Sequence, residues 1–96
     1  PLFEYYAAVT RQDHKGYPQS GWQPQECIDR LDALKMLTSW GAYGEFAENH
    51  RGKIKTGYDA DLTVLSDNLL TCNFDKILKT EILMTIINGK ILKNIL

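Results

Sequence analysis

The fold of this 96-residue chain is decided by residues 81–93, which read EILMTIINGKILK. Asn88-Gly89 separates two apolar runs, and an Asn-Gly pair in this setting signals a β-hairpin because both turn residues need a positive φ. The first run, residues 82–87, is apolar on both faces of a strand. A second apolar face needs cover from another layer, supplied either by the helices of this chain or by protein outside it.

In the stretch before the hairpin, the apolar residues no longer recur at helical spacing. They alternate with polar residues instead, as in a β-strand. Residues 52–65 read GKIKTGYDADLTVL, in which residues 53–55 alternate and residues 61–65 predict a short strand rich in β-forming side chains. Residues 73–78 predict one helical turn with the Asn at its start as the cap. Residues 52–96 therefore read as a strand-and-hairpin segment.

Residues 1–51 carry helical patterns instead. Residues 2–9 place apolar side chains at helical spacing, and Asp29 suits the N-cap of a second helix that reaches about residue 39. A polar loop with two Gly and two Pro, residues 10–26, separates these helices. A third, short helix is predicted over residues 42–49. The fold class is α+β: short helices followed by a small β-sheet with a C-terminal hairpin.

The helical spacing also predicts which side chains are buried. The apolar stripe of the second helix consists of Leu31, Leu34, Leu37, Thr38 and Gly41, widened by Ala33, Met36 and Trp40. By the same spacing Trp40 and Tyr43 belong to the core. Trp22 lies inside the polar loop and is the better candidate for a surface or ligand contact.

Composition and charge narrow the possible partners and compartment. The net charge is −1 and the basic residues are scattered, which argues against nucleic acid as a partner. No apolar run approaches the roughly 18 residues of a membrane span, and the start has no signal-peptide layout, so we expect no membrane partner and a cytoplasmic location. Cys27 and Cys72 are too few for a disulfide framework and are expected to be buried or half-buried thiols. The chain begins without Met or a helix cap, which favours a piece of a larger protein.

The chain offers few residues that could carry chemistry. His14 and His50 are its two histidines, and they are far apart in sequence. Zinc sites need three or four converging ligands, so both histidines are predicted to be surface side chains. Asp59 and Asp61 border a turn, where Asp stabilises local backbone. No catalytic, cofactor-binding or metal-binding residue is predicted in this chain.

Several stretches nevertheless occur in a familiar order. They are Ala8-Val9-Thr10-Arg11, then Gly16 and Gly21, then Asp32-Ala33-Leu34 with Thr38, Gly41-Ala42 and Phe46, then residues 52–65 and residues 82–90. Together they resemble the carboxy-terminal end of the amidohydrolase superfamily of metal-dependent hydrolases. The closest branch includes N-substituted formamide deformylase-like proteins. Tyr58 departs mildly from the resemblance, since family members usually carry Lys or Arg near this turn.

The resemblance implies a metal-binding (β/α)8 barrel, or TIM barrel, with a small β-sandwich built from both chain ends. Residues 1–51 would match the end of the barrel, and residues 52–96 would match strands of the composite sandwich. The parent would hydrolyse carbon–nitrogen bonds other than peptide bonds, using a divalent, zinc-like metal and a small amide-type substrate. The family's metal ligands would all lie upstream of Pro1, and Arg11 and the loop over residues 12–25 are assigned no catalytic role.

Three hypotheses follow from the sequence. The first is an inactive C-terminal portion of a metal-dependent hydrolase, whose partner is the remainder of the parent chain. The second is a self-contained binding or oligomerisation module without enzymatic activity. The third is a small independent enzyme that uses Cys27 or Cys72 with a histidine. The first hypothesis also predicts self-association of the isolated chain through apolar surface.

Overall fold

The computed structural model describes residues 1–96 and contains four α-helices, a 3-10 turn and one three-stranded sheet. In chain order the elements are α1 (Leu2–Thr10), the 3-10 turn (Pro24–Glu26), α2 (Arg30–Leu37), α3 (Ser39–Gly44), β1 (Leu62–Leu65), α4 (Phe74–Ile77), β2 (Ile82–Ile87) and β3 (Lys90–Asn94). The α+β class predicted from the sequence is confirmed. No helix combines the length and the apolar character that crossing a membrane requires.

The first two helices lie where the sequence places them. α1 ends at Arg11, which adopts left-handed backbone and donates its N–H to the Ala7 carbonyl. At the start of α2, the Asp29 carboxylate accepts the backbone N–H of Asp32 at 2.8 Å. This bond confirms the predicted N-cap, which contributes about 1 kcal/mol by satisfying a free amide of the first turn.

The third helix differs from the prediction over residues 42–49, because α3 begins at Ser39 and ends at Gly44. Thr38 leaves helical backbone with φ −124° and ψ −96°, and its hydroxyl donates to the Leu34 carbonyl at 2.9 Å. Thr38 therefore stands between the end of α2 and the start of α3, which begins three residues earlier than the sequence suggested.

A Schellman motif ends α3 before it reaches residue 49. The Ala47 N–H donates to the Ala42 carbonyl at 2.8 Å, and the Phe46 N–H donates to the Tyr43 carbonyl at 3.1 Å. Phe46 has a φ of 60°, the left-handed conformation that this motif requires after the helix end. Ala42 and Ala47 are both buried, as the usual apolar contact of the motif demands.

The sheet has the strand order β1-β2-β3, and both neighbouring pairs are antiparallel. Leu62 pairs with Ile86, and each of the two pairings contains one irregularity in register. Asn88 and Gly89 form the turn between β2 and β3 with φ values of 51° and 77°. The hairpin and its turn are therefore confirmed.

The hairpin turn is tied to the segment that leads into β1. The Gly89 N–H donates to the Ala60 carbonyl at 3.0 Å, and the Asn88 N–H donates to the Asp61 carboxylate at 2.8 Å. The alternating residues 53–55 form no strand, and the Ile54 side chain is 91% exposed. Alternation alone did not make a strand there because no neighbouring strand is available to pair with it.

One hydrophobic cluster forms the core of the molecule. Its members are Tyr5, Tyr6, Val9, Ala33, Leu69 and Ile77. The Tyr5 hydroxyl donates to the Leu69 carbonyl at 2.6 Å, and Arg30 Nη1 donates to the same oxygen at 3.1 Å. Both predicted segments, 1–51 and 52–96, contribute to this cluster, and the boundary between them stays a prediction.

Several side chains expected in the core are exposed instead. Trp40 is 49% exposed and Tyr43 is 70% exposed, and the others are Leu31, Met36 and Leu37. These predictions were wrong because helical spacing identifies an apolar face without saying that anything in the chain packs on it. Cys27 is also exposed, contrary to prediction, since it follows the surface 3-10 turn, whereas Cys72 is half-buried as predicted.

The chain exposes more surface than a compact domain of its mass. Its accessible surface is 7021 Å² for 11.0 kDa. Folded monomers of this mass expose about 5600 Å² on the usual scaling law. The radius of gyration is 14.7 Å, against about 12.5 Å for a compact domain of this length. Only 10 of 96 residues are buried, and many large apolar side chains are exposed.

Candidate functional site

A wide groove lies between the α2–α3 helices and the edge strand β1. Its volume is about 1110 Å³, and its apolar walls include Leu37 and Ala42 on the helices and Leu62 and Val64 on the strand. β1 pairs only with β2, so its other edge faces this groove with unpaired backbone groups. The groove therefore resembles a space for extended chain more than an enclosed ligand pocket.

Three charged side chains of the groove, Glu45, Arg51 and Asp67, make contacts with other side chains of this chain. Arg51 lies 3.6 Å from the Glu45 carboxylate, with both side chains well exposed. The Asp67 carboxylate accepts the hydroxyls of Ser66 at 3.0 Å and Thr80 at 3.4 Å. No histidine or cysteine lines the groove, so the side chains most often used as catalytic bases and nucleophiles are not found there.

A smaller depression of about 330 Å³ lies along the loop over residues 53–62. His50 Nδ1 lies 3.0 Å from the Asp59 carboxylate, and the Tyr58 hydroxyl donates to the Glu48 carbonyl at 2.6 Å. These two links fasten the end of the helical segment to the approach of β1. The sequence placed Asp59 at a turn but gave no signal of either link, because both partners of each were read as separate surface residues.

The second histidine has a different neighbour. The His14 ring stacks on Phe3, with centroids 3.8 Å apart and planes 8° from parallel. Both histidines are exposed, as predicted. No three His, Cys, Asp or Glu side chains in the molecule converge as metal ligands would.

The loop after α1 is held at its base by Arg11 and Trp22. Arg11 Nε donates to the Trp22 carbonyl at 2.9 Å, and its guanidinium lies 4.8 Å from the centroid of the Trp22 ring. Trp22 is 61% exposed, which confirms the surface position predicted for it. A ligand contact by Trp22 stays a prediction.

Two ionisable groups, Tyr5 and Asp13, have pKa values shifted from their ordinary ones. Burial raises the pKa of Tyr5 above its ordinary 10.0, although the nearby Arg30 charge opposes the rise. At the loop tip, backbone N–H groups of Tyr17 and Lys15 donate to the Asp13 carboxylate and lower its pKa below 3.8. Each shift moves the pKa further from neutrality, so neither group is suited to acid–base catalysis at pH 7.

Comparison with known proteins identifies the class to which this fold belongs. A sequence profile of the Amidohydrolase family matches residues 1–93. The chain therefore belongs to the Amidohydrolase family, and the superfamily resemblance seen in the sequence is confirmed.

Two curated relatives agree with that assignment. The chain is 35% identical over 91 residues to "Putative amidohydrolase YtcJ" of Bacillus subtilis (strain 168), covering 95% of this chain and 17% of the relative. It is 34% identical over 90 residues to "Protein LONG AFTER FAR-RED 3" of Arabidopsis thaliana, covering 94% of this chain and 15% of that protein. The chain thus spans about a sixth of the length of these relatives. No solved structure matches it significantly.

Proposed function

We propose that this chain is the C-terminal portion of a metal-dependent amidohydrolase that acts on carbon–nitrogen bonds other than peptide bonds. The observation that carries the proposal is the family match over residues 1–93 in a chain that spans only 17% and 15% of its two relatives. The substrate would be a small amide, and the closest branch would be the N-substituted formamide deformylase-like proteins. The protein would work in the cytoplasm.

In this proposal the chain contributes structure, and the chemistry belongs to residues outside it. A divalent, zinc-like metal would be bound elsewhere in the longer protein, because no three His, Cys, Asp or Glu side chains of this chain converge on one point. Residues 1–51 would complete the barrel, and the three-stranded sheet would form part of the composite sandwich. The isolated chain would be inactive.

The excess surface supports this reading over a self-contained binding or oligomerisation module. An independent module of 11.0 kDa should approach the compact dimensions of small domains. The accessible surface of 7021 Å² and the radius of gyration of 14.7 Å both exceed those dimensions. A segment that normally packs on more protein has no such requirement.

The proposal is tested by comparing two polypeptides. One is the 96-residue chain, and the other is the product of the same coding region extended upstream. We expect the longer product to bind a divalent metal, measured by elemental analysis, and to hydrolyse N-substituted formamides, whereas the shorter chain does neither. The family resemblance implies that an H-x-H pair upstream of this chain supplies metal ligands. A coding region whose upstream part lacks such a pair, or metal-dependent hydrolysis by the shorter chain, would refute the proposal.

A further inference from the structure

Three exposed aromatic side chains lie on α3 or just after its end, and they are here called the aromatic ridge: Trp40 and Tyr43 on the helix, and Phe46 two residues beyond it. Their exposed fractions are 49%, 70% and 92%. Trp40 and Tyr43 lie three residues apart on α3 and are therefore neighbours on the helix surface. Aromatic side chains carry the largest apolar areas of any residue type, so a row of exposed ones marks a surface that is normally covered.

Phe46 gives a second, independent reason to regard the ridge as a contact surface. It occupies the left-handed position of the Schellman motif, with φ 60°, where glycine is usual because it has no Cβ to clash. A bulky residue at this position strains the backbone, because its Cβ lies too close to the following carbonyl oxygen. The ring recovers nothing within this chain, because it is 92% exposed. The side chain is therefore explained only by a contact that this chain does not make.

A nearby polar atom points the same way. The Glu48 Oε2 atom, two residues beyond Phe46, is buried and has no hydrogen-bond partner. A buried acceptor left unpaired costs free energy, and native structures contain few of them. Strain at Phe46 and an unpaired oxygen at Glu48 together indicate that this segment is not complete in its present surroundings.

The excess accessible surface of the chain indicates the size of the partner that would cover it. The chain exposes 7021 Å², about 1400 Å² more than the scaling law gives for its mass. A standard interface buries about 800 Å² per partner, so the excess suits an extensive, permanent contact. The two relatives extend over about six times the matched length, since the match covers 17% and 15% of them. The remainder of the same protein is thus the partner of suitable size.

We propose that the aromatic ridge is the surface through which this segment packs on the remainder of the amidohydrolase, with the Phe46 ring enclosed in an apolar pocket. The inference rests on the proposed function, because the partner is the rest of that longer protein. It adds which residues make the contact and why Phe46 stands where glycine would fit better.

Hydroxyl-radical footprinting of the upstream-extended product tests the contact. The reactivity of each residue is compared between the native protein and the same protein unfolded in urea. We expect native protection of about fivefold or more at Trp40, Tyr43 and Phe46, as for core positions of an interface. Tyr17, which is 73% exposed and lies in the loop after α1, is the matched reference and should stay reactive.

The substitution Phe46→Gly in the upstream-extended product tests the same contact by the direction in which the melting temperature changes. If the ridge is covered, this change removes the enclosed ring and lowers the melting temperature by several degrees. If the ridge faces water, glycine relieves the strain and raises it. Asn88→Gly is the control, because Asn88 is also exposed and has a positive φ of 51°, so its substitution should not lower the melting temperature.

The outcomes separate this inference from the proposed function. A longer product that binds metal and hydrolyses amides but leaves the ridge as reactive as Tyr17 overturns the inference alone. A longer product without metal or activity refutes the proposed function, whatever the footprint. Protection that appears only as concentration rises, in a protein that sediments as a dimer, assigns the ridge to a second copy and also overturns the inference.

Discussion

α1 and α3 are both short helices with aromatic residues at helical spacing, yet their surroundings are opposite. Tyr5 on α1 is 1% exposed and sits in the central cluster, whereas Tyr43 on α3 is 70% exposed. α1 buries four of its residues, and α3 buries Ala42 alone. The comparison teaches that an apolar helix face indicates that some surface must cover it. The helical pattern does not say whether that surface lies in this chain or outside it.

The largest loss of stability should come from truncating a side chain in the hydrophobic cluster that packs against α1. Ile77 is fully buried, so Ile77→Ala leaves a cavity and should lower the free energy of unfolding by about 3–4 kcal/mol. Ile54→Ala makes the same chemical change at a side chain that is 91% exposed and should be nearly neutral. Urea unfolding followed by circular dichroism measures both. Equal effects would mean that the two regions do not differ in packing as described.

A smaller effect should come from the close approach of the loop to α3. Gly52 has φ 96°, and a Cβ there would lie 2.8 Å from the Ala42 Cβ and 3.0 Å from the Thr38 carbonyl oxygen. Gly52→Ala should therefore cost about 2–3 kcal/mol, from backbone strain plus overpacking.

Gly57 is the matched control for that substitution. Its φ of 88° is similar, but a Cβ there would meet nothing within 4 Å. Gly57→Ala should cost only the backbone strain, about 1 kcal/mol. Urea unfolding of the two variants isolates the contribution of packing against α3. If Gly57→Ala proves as costly as Gly52→Ala, the contact with α3 contributes nothing.

The smallest effect should come from the hydroxyl that joins α1 to Leu69. Tyr5→Phe removes the donor at 2.6 Å but leaves Arg30 on the same carbonyl, so we expect a loss of about 1 kcal/mol. Tyr43→Phe, at an exposed ring, should change nothing measurable. Thermal melting at pH 7 compares the two variants, and a loss at Tyr43 equal to that at Tyr5 would contradict the comparison.

Tyr5 should also affect how the stability of the protein falls at alkaline pH. Burial raises the pKa of Tyr5 in the folded state, so the unfolded phenol loses its proton first as the pH passes 10.0. The unfolded state then binds fewer protons than the folded state, and stability present below pH 10 declines above it. Tyr5→Phe should flatten this decline in melting temperature. An unchanged slope would show that the Tyr5 phenol ionises as freely folded as unfolded.

Local signals in the sequence predicted local structure well. The Asn88-Gly89 hairpin and the Asp29 cap were both foreseen, because each depends on residues within a few positions. The bounds of α3 were not, since they depend on the Schellman bonds around Phe46, a residue type that rarely takes left-handed backbone. Sequence patterns indicate such a helix end readily only when glycine marks it.

Contacts between distant residues could not be foreseen. Arg30 and Tyr5 converge on the Leu69 carbonyl across 39 and 64 positions, and no spacing rule connects them. The exposure of Cys27 and Trp40 was likewise missed, because it depends on what packs against each surface. The family was identified from the run over residues 52–65 with the hairpin, and the absence of a catalytic residue in this chain stays a prediction that followed from that resemblance.

The bonds from the hairpin turn to residues 60 and 61 have a consequence for the order of assembly. Closing the two-residue turn between β2 and β3 restricts little chain, whereas docking β1 closes a loop between Asp61 and Asn88 that loses far more chain entropy. The hairpin should therefore form first. Its turn then offers two amide donors that bind residues 60 and 61, just before the first residue of β1, and fix the alignment of the strand before the rest of β1 pairs with β2.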